Sequence, residues 1–223
     1  MAEINSPSVE ERAAVHRALG DEHRLRLIDA LVGCDRTPGE LGSLTGMSSN
    51  LLAFHLRNLE GAGIVERRRS EGDSRRRYVH LRAERFALGI PNQSAPVATV
   101  MFVCNHNSAS SQFAEALWRR TVGGEVWSAG LEPADQVHPY AAEAGREHDL
   151  DLVGMEPKGY EAVPTTVDLI ISVCDRAFEA GLPMRGDKMH WSIPDPVGGG
   201  PDNFAFAFDD IAERIGRLRD RVT

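Results

Sequence analysis

Thr99-Val-Met-Phe-Val-Cys104-Asn-His-Asn107-Ser108-Ala-Ser110-Ser111-Gln-Phe-Ala-Glu-Ala-Leu-Trp118 passes through three kinds of chemistry in one short segment. Val97 to Val103 is almost wholly apolar and β-branched, the pattern of a strand buried on both faces, as in a parallel sheet. From Ser111 to Arg120, Phe113, Ala116 and Leu117 are spaced for one face of a helix. Small and polar residues fill the loop between, with Cys104 at its front. A strand that turns tightly into a helix aims backbone N–H groups at whatever the loop encloses, which makes an oxyanion cradle. The positive helix end also lowers the pKa of a thiol placed there, so Cys104 is expected as a thiolate.

Downstream of that segment, strand and helix patterns alternate. Glu125 to Gly130 reads as a second strand ending in Ser128-Ala129-Gly130, and Pro139 to Asp149 as a helix. Lys158 to Ala162 reads as a short connection and Asp168 to Cys174 as another parallel-type strand. His190-Trp191-Ser-Ile-Pro-Asp195-Pro196 follows. Asn203 to Val222 is a long helix with Phe204, Phe208, Ile211, Ile215 and Leu218 on one side. The alternation predicts a doubly wound parallel sheet with ligands at the strand C-termini. Neither a glycine-rich dinucleotide fingerprint nor a Walker loop is present.

Upstream, the pattern changes. Ser8-Val-Glu-Glu11 is a capping box opening a helix to Leu19, and Asp21 or Glu22 opens a second with Leu25, Leu27, Ile28 and Leu31. Thr37-Pro38 starts a short third helix, Glu40 to Thr45, and Ser48 or Ser49 caps a fourth striped by Leu52, Leu56 and Leu59. Ile64 to Arg69 and Arg76 to Leu81 read as a hairpin whose tip is 70–74. Together these predict a mainly α winged helix-turn-helix.

Two resemblances follow from these residues. The loop after Cys104 resembles that of low-molecular-weight tyrosine phosphatases and the related thioredoxin-coupled arsenate reductases. Their pattern is Cys, five residues, Arg, then Ser or Thr. Cys104, Asn107, Ser108 and Ser111 match it, whereas His106 replaces a Gly, Ala109 a second cysteine, and Ser110 the arginine. The resemblance makes 104–111 (Cys104, Asn105, His106, Asn107, Ser108, Ala109, Ser110 and Ser111) the ligand loop, with Cys104 and Ser111 catalytic. It makes Asp195 a general acid and Cys174 a second redox cysteine, while the reductases' third falls near Gly181 and is missing. The absent guanidinium would grip two oxygens and neutralise charge in transfer, and losing one such donor costs about a hundredfold to a thousandfold in rate.

Residues 9–85 resemble the ArsR/SmtB repressors, through Leu19-Gly20-Asp21-Glu-His23-Arg24-Leu25 and through Ser48 to Val65 with its His55-Leu56 and Leu59-Glu-Gly-Ala-Gly63. The resemblance places Ser49, Asn50, Ala53 and Phe54 at base edges, His55 and Arg57 at the DNA backbone, and Arg75, Arg76 and Arg77 at phosphate or minor groove. Metal-sensing members carry a Cys-x-Cys on the third helix. Here that stretch is Thr37-Pro-Gly-Glu-Leu41, and Cys34 stands alone before it, so no metal site is expected in this half.

Charge divides the chain likewise. The net charge is −8, yet residues 1–96 carry 14 arginines against 13 acids, and residues 97–223 carry 11 basic against 20 acidic side chains. Three well-separated cysteines fit a reducing cytosol, and no apolar run reaches the roughly 18 residues of a membrane span. Residues 1–88 are expected as the winged-helix domain, 89–96 (Gly89, Pro91, Asn92, Ser94, Pro96) as linker, and 97–223 as the phosphatase-type domain.

Three readings stand at this point. One is a cytoplasmic, homodimeric repressor that binds double-stranded operator DNA. Its second domain, a pseudoenzyme, would sense an oxyanion, phosphorylated ligand or arsenical without a cofactor. The second is an active arsenate reductase or tyrosine phosphatase using Cys104 as nucleophile, with an external thiol where a reductase needs one. The third is a scaffold whose second domain only helps dimerise the first.

Overall fold

The structure, a computed structural model, describes residues 8–82 and 97–222. The linker expected at 89–96 lies outside the described residues, as do 83–88 of the expected winged-helix domain. Two compact units account for the rest: 8–69 with 76–82, and 70–75 with 97–222.

The first unit is built from α1 (Val9–Leu19), α2 (Glu22–Leu31), α3 (Pro38–Thr45), α4 (Ser49–Gly61) and the antiparallel hairpin β1 (Val65–Arg69) and β2 (Arg77–Leu81). α1, α2 and α3 start at side chains that cap them, whereas Ser48 at the start of α4 makes no side-chain cap bond. The Ser8 hydroxyl accepts from the Glu11 N–H while the Glu11 carboxylate accepts from the Ser8 N–H. Thr37 and Glu40 repeat that box, and Pro38 occupies the first turn, so α3 begins two residues before Glu40. Gly46 ends α3 at φ +70°, a left-handed conformation that glycine adopts without a Cβ penalty. Leu52, Leu56 and Leu59 bury one side of α4 against Leu27, Ile28, Leu31 and Leu41.

In the second unit, β3 (Thr99–Cys104), β4 (Glu125–Gly130), β5 (Thr166–Ser172) and β6 (Arg185–His190) form one parallel sheet in the order β4-β3-β5-β6. The helices are α5 (Ser110–Thr121), α6 (Pro139–Glu147), α7 (Asp175–Ala180) and α8 (Pro201–Val222). Along β3 the side chains alternate between two cores. Val100, Phe102 and Cys104 join α5, α6 and α8, with Phe113 and Phe208 stacked at 4.0 Å. Met101 and Val103 join Ile170, Leu182 and Met184 on the opposite face. Burial on both faces explains the unbroken apolar run.

The strand order also locates the site. β3 pairs with β4 on one side and β5 on the other, so the chain leaves its C-terminus at a switch point, the crevice where such sheets take ligands. Cys104 is the last residue of β3. Two elements carry no apolar pattern in the sequence. β6 is an edge strand with its first four residues exposed, and α7 is a helix of only six residues. The long helix α8 starts at Pro201 rather than Asn203, again with proline in its first turn.

Candidate functional site

The loop between β3 and α5 is pinned from outside by its carbonyls. Those of Cys104, Asn105, His106 and Ser108 accept from the N–H groups of Leu131, Glu132, Ala134 and His138 at 2.8–3.1 Å. With its oxygens turned outward, the loop leaves amides for its own interior. Ala109 caps α5 with no side-chain acceptor of its own, and in the first turn the Ser111 N–H is directed at Cys104 Sγ.

Asn107 organises the interior. It sits at φ +48°, and its amide donates to Ser111 Oγ at 2.8 Å and Ser128 Oγ at 2.9 Å. Its Oδ1 accepts from Gln112 Nε2 at 3.1 Å and from the Lys158 N–H at 2.8 Å. Ser128 in turn donates to the buried Glu115 carboxylate at 2.5 Å, and Lys158 Nζ lies 3.4 Å from Glu115. Gln112, Glu115, Ser128 and Lys158 were not singled out from the sequence. Only the Ser128-Ala129-Gly130 motif pointed toward them. Gly130 is needed for close approach: a Cβ there would lie 2.8 Å from Asn105 O and 2.9 Å from the Asn107 nitrogen.

Cys104 Sγ receives the Asn107 N–H at 3.1 Å and shares a 2.9 Å hydrogen bond with Ser111 Oγ. The thiolate expected from the helix end is not what the environment favours. Burial pushes the thiol up, and the contacts from Ser111 and Asn107 only partly offset it. Ser110, side chain buried, stands where a guanidinium would have favoured the anion. Burial pushes Cys174 up to about 12, with the neighbouring Cys104 charge adding to the effect.

Cys104, Asn105, His106, Ser108, Ala109 and Ser110 border one cavity with Cys174 and Asp195. Its volume of about 20 Å³ is enough for roughly one water-sized group and too small for a peptide. Ser111 and Asn107 lie beneath it as support. His106 does not replace the missing arginine, because its ring nitrogens are engaged with Asn105 at 2.9 Å and the Glu132 carbonyl at 3.0 Å.

Residues 99–223 match the model of the low molecular weight phosphotyrosine protein phosphatase family, and residues 19–68 match a helix-turn-helix domain. The chain belongs to the low-molecular-weight phosphatase family. An arsenate reductase of Bacillus cereus is 33% identical over 125 residues, 54% of this chain and 92% of that protein. Arsenate reductase 2 of Staphylococcus saprophyticus is 34% identical over 128 residues, 55% of this chain and 96% of that protein. A solved arsenate reductase in its oxidised state superposes with a TM-score of 0.51 at 28% identity, covering 56% of this chain and 99% of that one. Within this phosphatase family, the present chain is one with a helix-turn-helix domain fused ahead of the phosphatase-type domain.

On the helix-turn-helix side, Ser49, Asn50, Phe54 and Arg57 of α4 are exposed and Ala53 is half-buried. Arg75, Arg76 and Arg77 are exposed, with Arg75 forked onto Asp73 at 2.9 and 3.0 Å. His55 is different. It is 4% exposed and faces Asp21 at the start of α2, so its ring is not offered to a DNA backbone. Its place three residues after Leu52 and one before Leu56 puts it on the buried stripe. Among the described residues, the group able to converge on a metal ion is Asp21, His23 and His55. His55 lies 32 positions beyond His23, so no local spacing signals the group.

Proposed function

We propose that the chain is a DNA-binding transcriptional regulator, a repressor, whose phosphatase-type domain senses a small oxyanion or arsenical instead of turning one over. The observation that carries this reading is a loop whose hydrogen-bonded frame is complete around Asn107 while Ser110 fills the clamp position. Binding needs N–H groups at a small cavity; the loop's carbonyls are taken by partners outside it and its residues border such a cavity, which supports this reading. Transfer needs a thiolate and a clamp as well. The thiol is pushed up by burial, and the clamp is a short neutral hydroxyl.

Relatives named as arsenate reductases support tetrahedral oxyanions of arsenic or phosphorus as the ligand class. A trivalent arsenical would use Cys104 and Cys174, which border the same cavity.

The helix-turn-helix domain supplies the DNA-reading part. Ser49, Asn50, Ala53 and Phe54 would meet base edges, and Arg57, Arg75, Arg76 and Arg77 phosphates. A homodimer would match a two-fold operator. Ligand can alter DNA affinity only by binding one dimer arrangement better than another.

Thermal shift with phosphate, arsenate and arsenite, run beside hydrolysis of p-nitrophenyl phosphate and arsenate reduction with a thiol reductant, tests the reading. Stabilisation with negligible turnover is expected. Turnover at ordinary enzyme rates that Cys104→Ser abolishes would establish the second reading, an active reductase or phosphatase. That alternative draws on Asp195 and Cys174 standing at the cavity with Cys104.

A further inference from the structure

Independently of the loop, we propose that Asp21, His23 and His55 form a binding site for a zinc-class divalent cation that fastens α4 to the start of α2. The three side chains each offer one ligand atom, and all three atoms lie within 4.8 Å of one another. Asp21 Oδ1 is 3.5 Å from His55 Nδ1 and 4.0 Å from His23 Nδ1. Ligand atoms about 2.0–2.2 Å from a tetrahedral zinc stand about 3.3–3.5 Å apart, so only a small closure of His23 is required.

A second observation points to a ligand. His55 is 4% exposed, yet its Nδ1 has no hydrogen-bond partner, and the nearest acceptor is that Asp21 oxygen at 3.5 Å. A buried polar atom left this way is costly unless something completes it. The His23 and His55 rings are parallel within 7°, centroids 5.1 Å apart. Two protonated imidazoles would repel in that arrangement.

Ingress is available, since the side chains of His23 and Asp21 keep 46% and 30% of their exposure. Two imidazoles and a carboxylate suit zinc, cobalt, nickel or copper better than calcium or magnesium, and three ligands leave a position for water. Two features oppose a cation here: the positive N-terminus of α2 and the Arg24 guanidinium, 3.9 Å from Asp21 Oδ2. Arg24 spends its donors on the Ala18 and Arg17 carbonyls, which turns part of that charge away. The balance fits moderate rather than extreme affinity.

The site would reach the reading surface directly. His55 packs edge-on to exposed Phe54 at 5.2 Å, so a cation on His55 fixes the turn of α4 that carries Phe54.

The test uses the tag-free full chain, stripped with chelator and titrated with zinc and cobalt. One ion per chain is expected. Cobalt should give a visible ligand-field band without the near-ultraviolet charge-transfer band of a thiolate. Exposed His23→Ala should fold normally, weaken zinc at least about tenfold and lose the zinc-induced thermal shift. His55→Gln should do the same, while Cys104→Ser with Cys174→Ser should leave zinc binding in place. Absence of stoichiometric zinc, unchanged affinity in His23→Ala, or a thiolate band from cobalt would each overturn the proposal.

Discussion

Ser110 offers one hydroxyl where an arginine would offer five N–H donors and a permanent charge. Ser110→Arg should therefore tighten phosphate or arsenate about tenfold or more and lower the pKa of Cys104. Calorimetric titration of the variant reads the first effect. Unchanged affinity would mean the loop is not the ligand site. The thiols give a pH test. With both folded values raised by burial, Cys104 and Cys174 stay protonated near neutrality, and alkylation by iodoacetamide should be slow until well above pH 8.5. The sign for stability follows: the protonated thiols are favoured in the folded state, so their contribution is whole below the free-thiol range, about 8.5, and is lost as pH climbs through the folded values. Rapid alkylation at neutral pH would show a thiolate instead. Cys104, Asn107 and Ser111 were legible in the sequence because a fixed spacing follows the strand. The direction of the Cys104 shift was not, because a helix end is a local feature whereas burial is decided by the whole fold.

At the scale of elements, Leu56 sits 1% exposed in the core of the first unit. Leu56→Ala should cost about 2–5 kcal/mol, measured by urea unfolding, because the cavity cannot fill from rigid neighbours. Gly130→Ala has a different signature. Its Cβ would press on the backbone of Asn105 and Asn107, so the anion-induced thermal shift should vanish while helicity is kept. A retained shift would show that loop and β4 are not coupled as described. Periodicity revealed the strongly patterned elements, α4, β3, β5 and α8. It missed β6, whose Arg185-Gly-Asp-Lys run is held by edge pairing to β5 rather than by apolar burial. The stripe on α4 could have warned that His55 faces inward, since it shares a side with Leu52, Leu56 and Leu59.

Across the whole molecule, the charge asymmetry matters most. The net charge of −8 disfavours DNA in general, yet the arginines between Arg67 and Arg82 are concentrated on and beside the hairpin. Binding carried by phosphate contacts should weaken linearly in log affinity against log salt. Replacing Arg75, Arg76 and Arg77 with Ala should lower that slope by about one for each arginine that meets a phosphate. An unchanged slope would move the contacts elsewhere. What the sequence could not convey at this scale is how an event at the anion loop reaches the DNA. On the proposed function, that coupling would run through two alternative dimer arrangements, which the residues of one chain do not specify.

The decisive measurement is the anisotropy of a labelled duplex from the protein's own promoter region, titrated with the full chain in the presence and absence of phosphate, arsenate or arsenite. At least one of these ligands should change DNA affinity by about tenfold or more, and Cys104→Ser should remove the change. Identical binding curves with all three ligands, or no duplex binding at modest salt, would contradict the reading of this chain as an anion-responsive regulator.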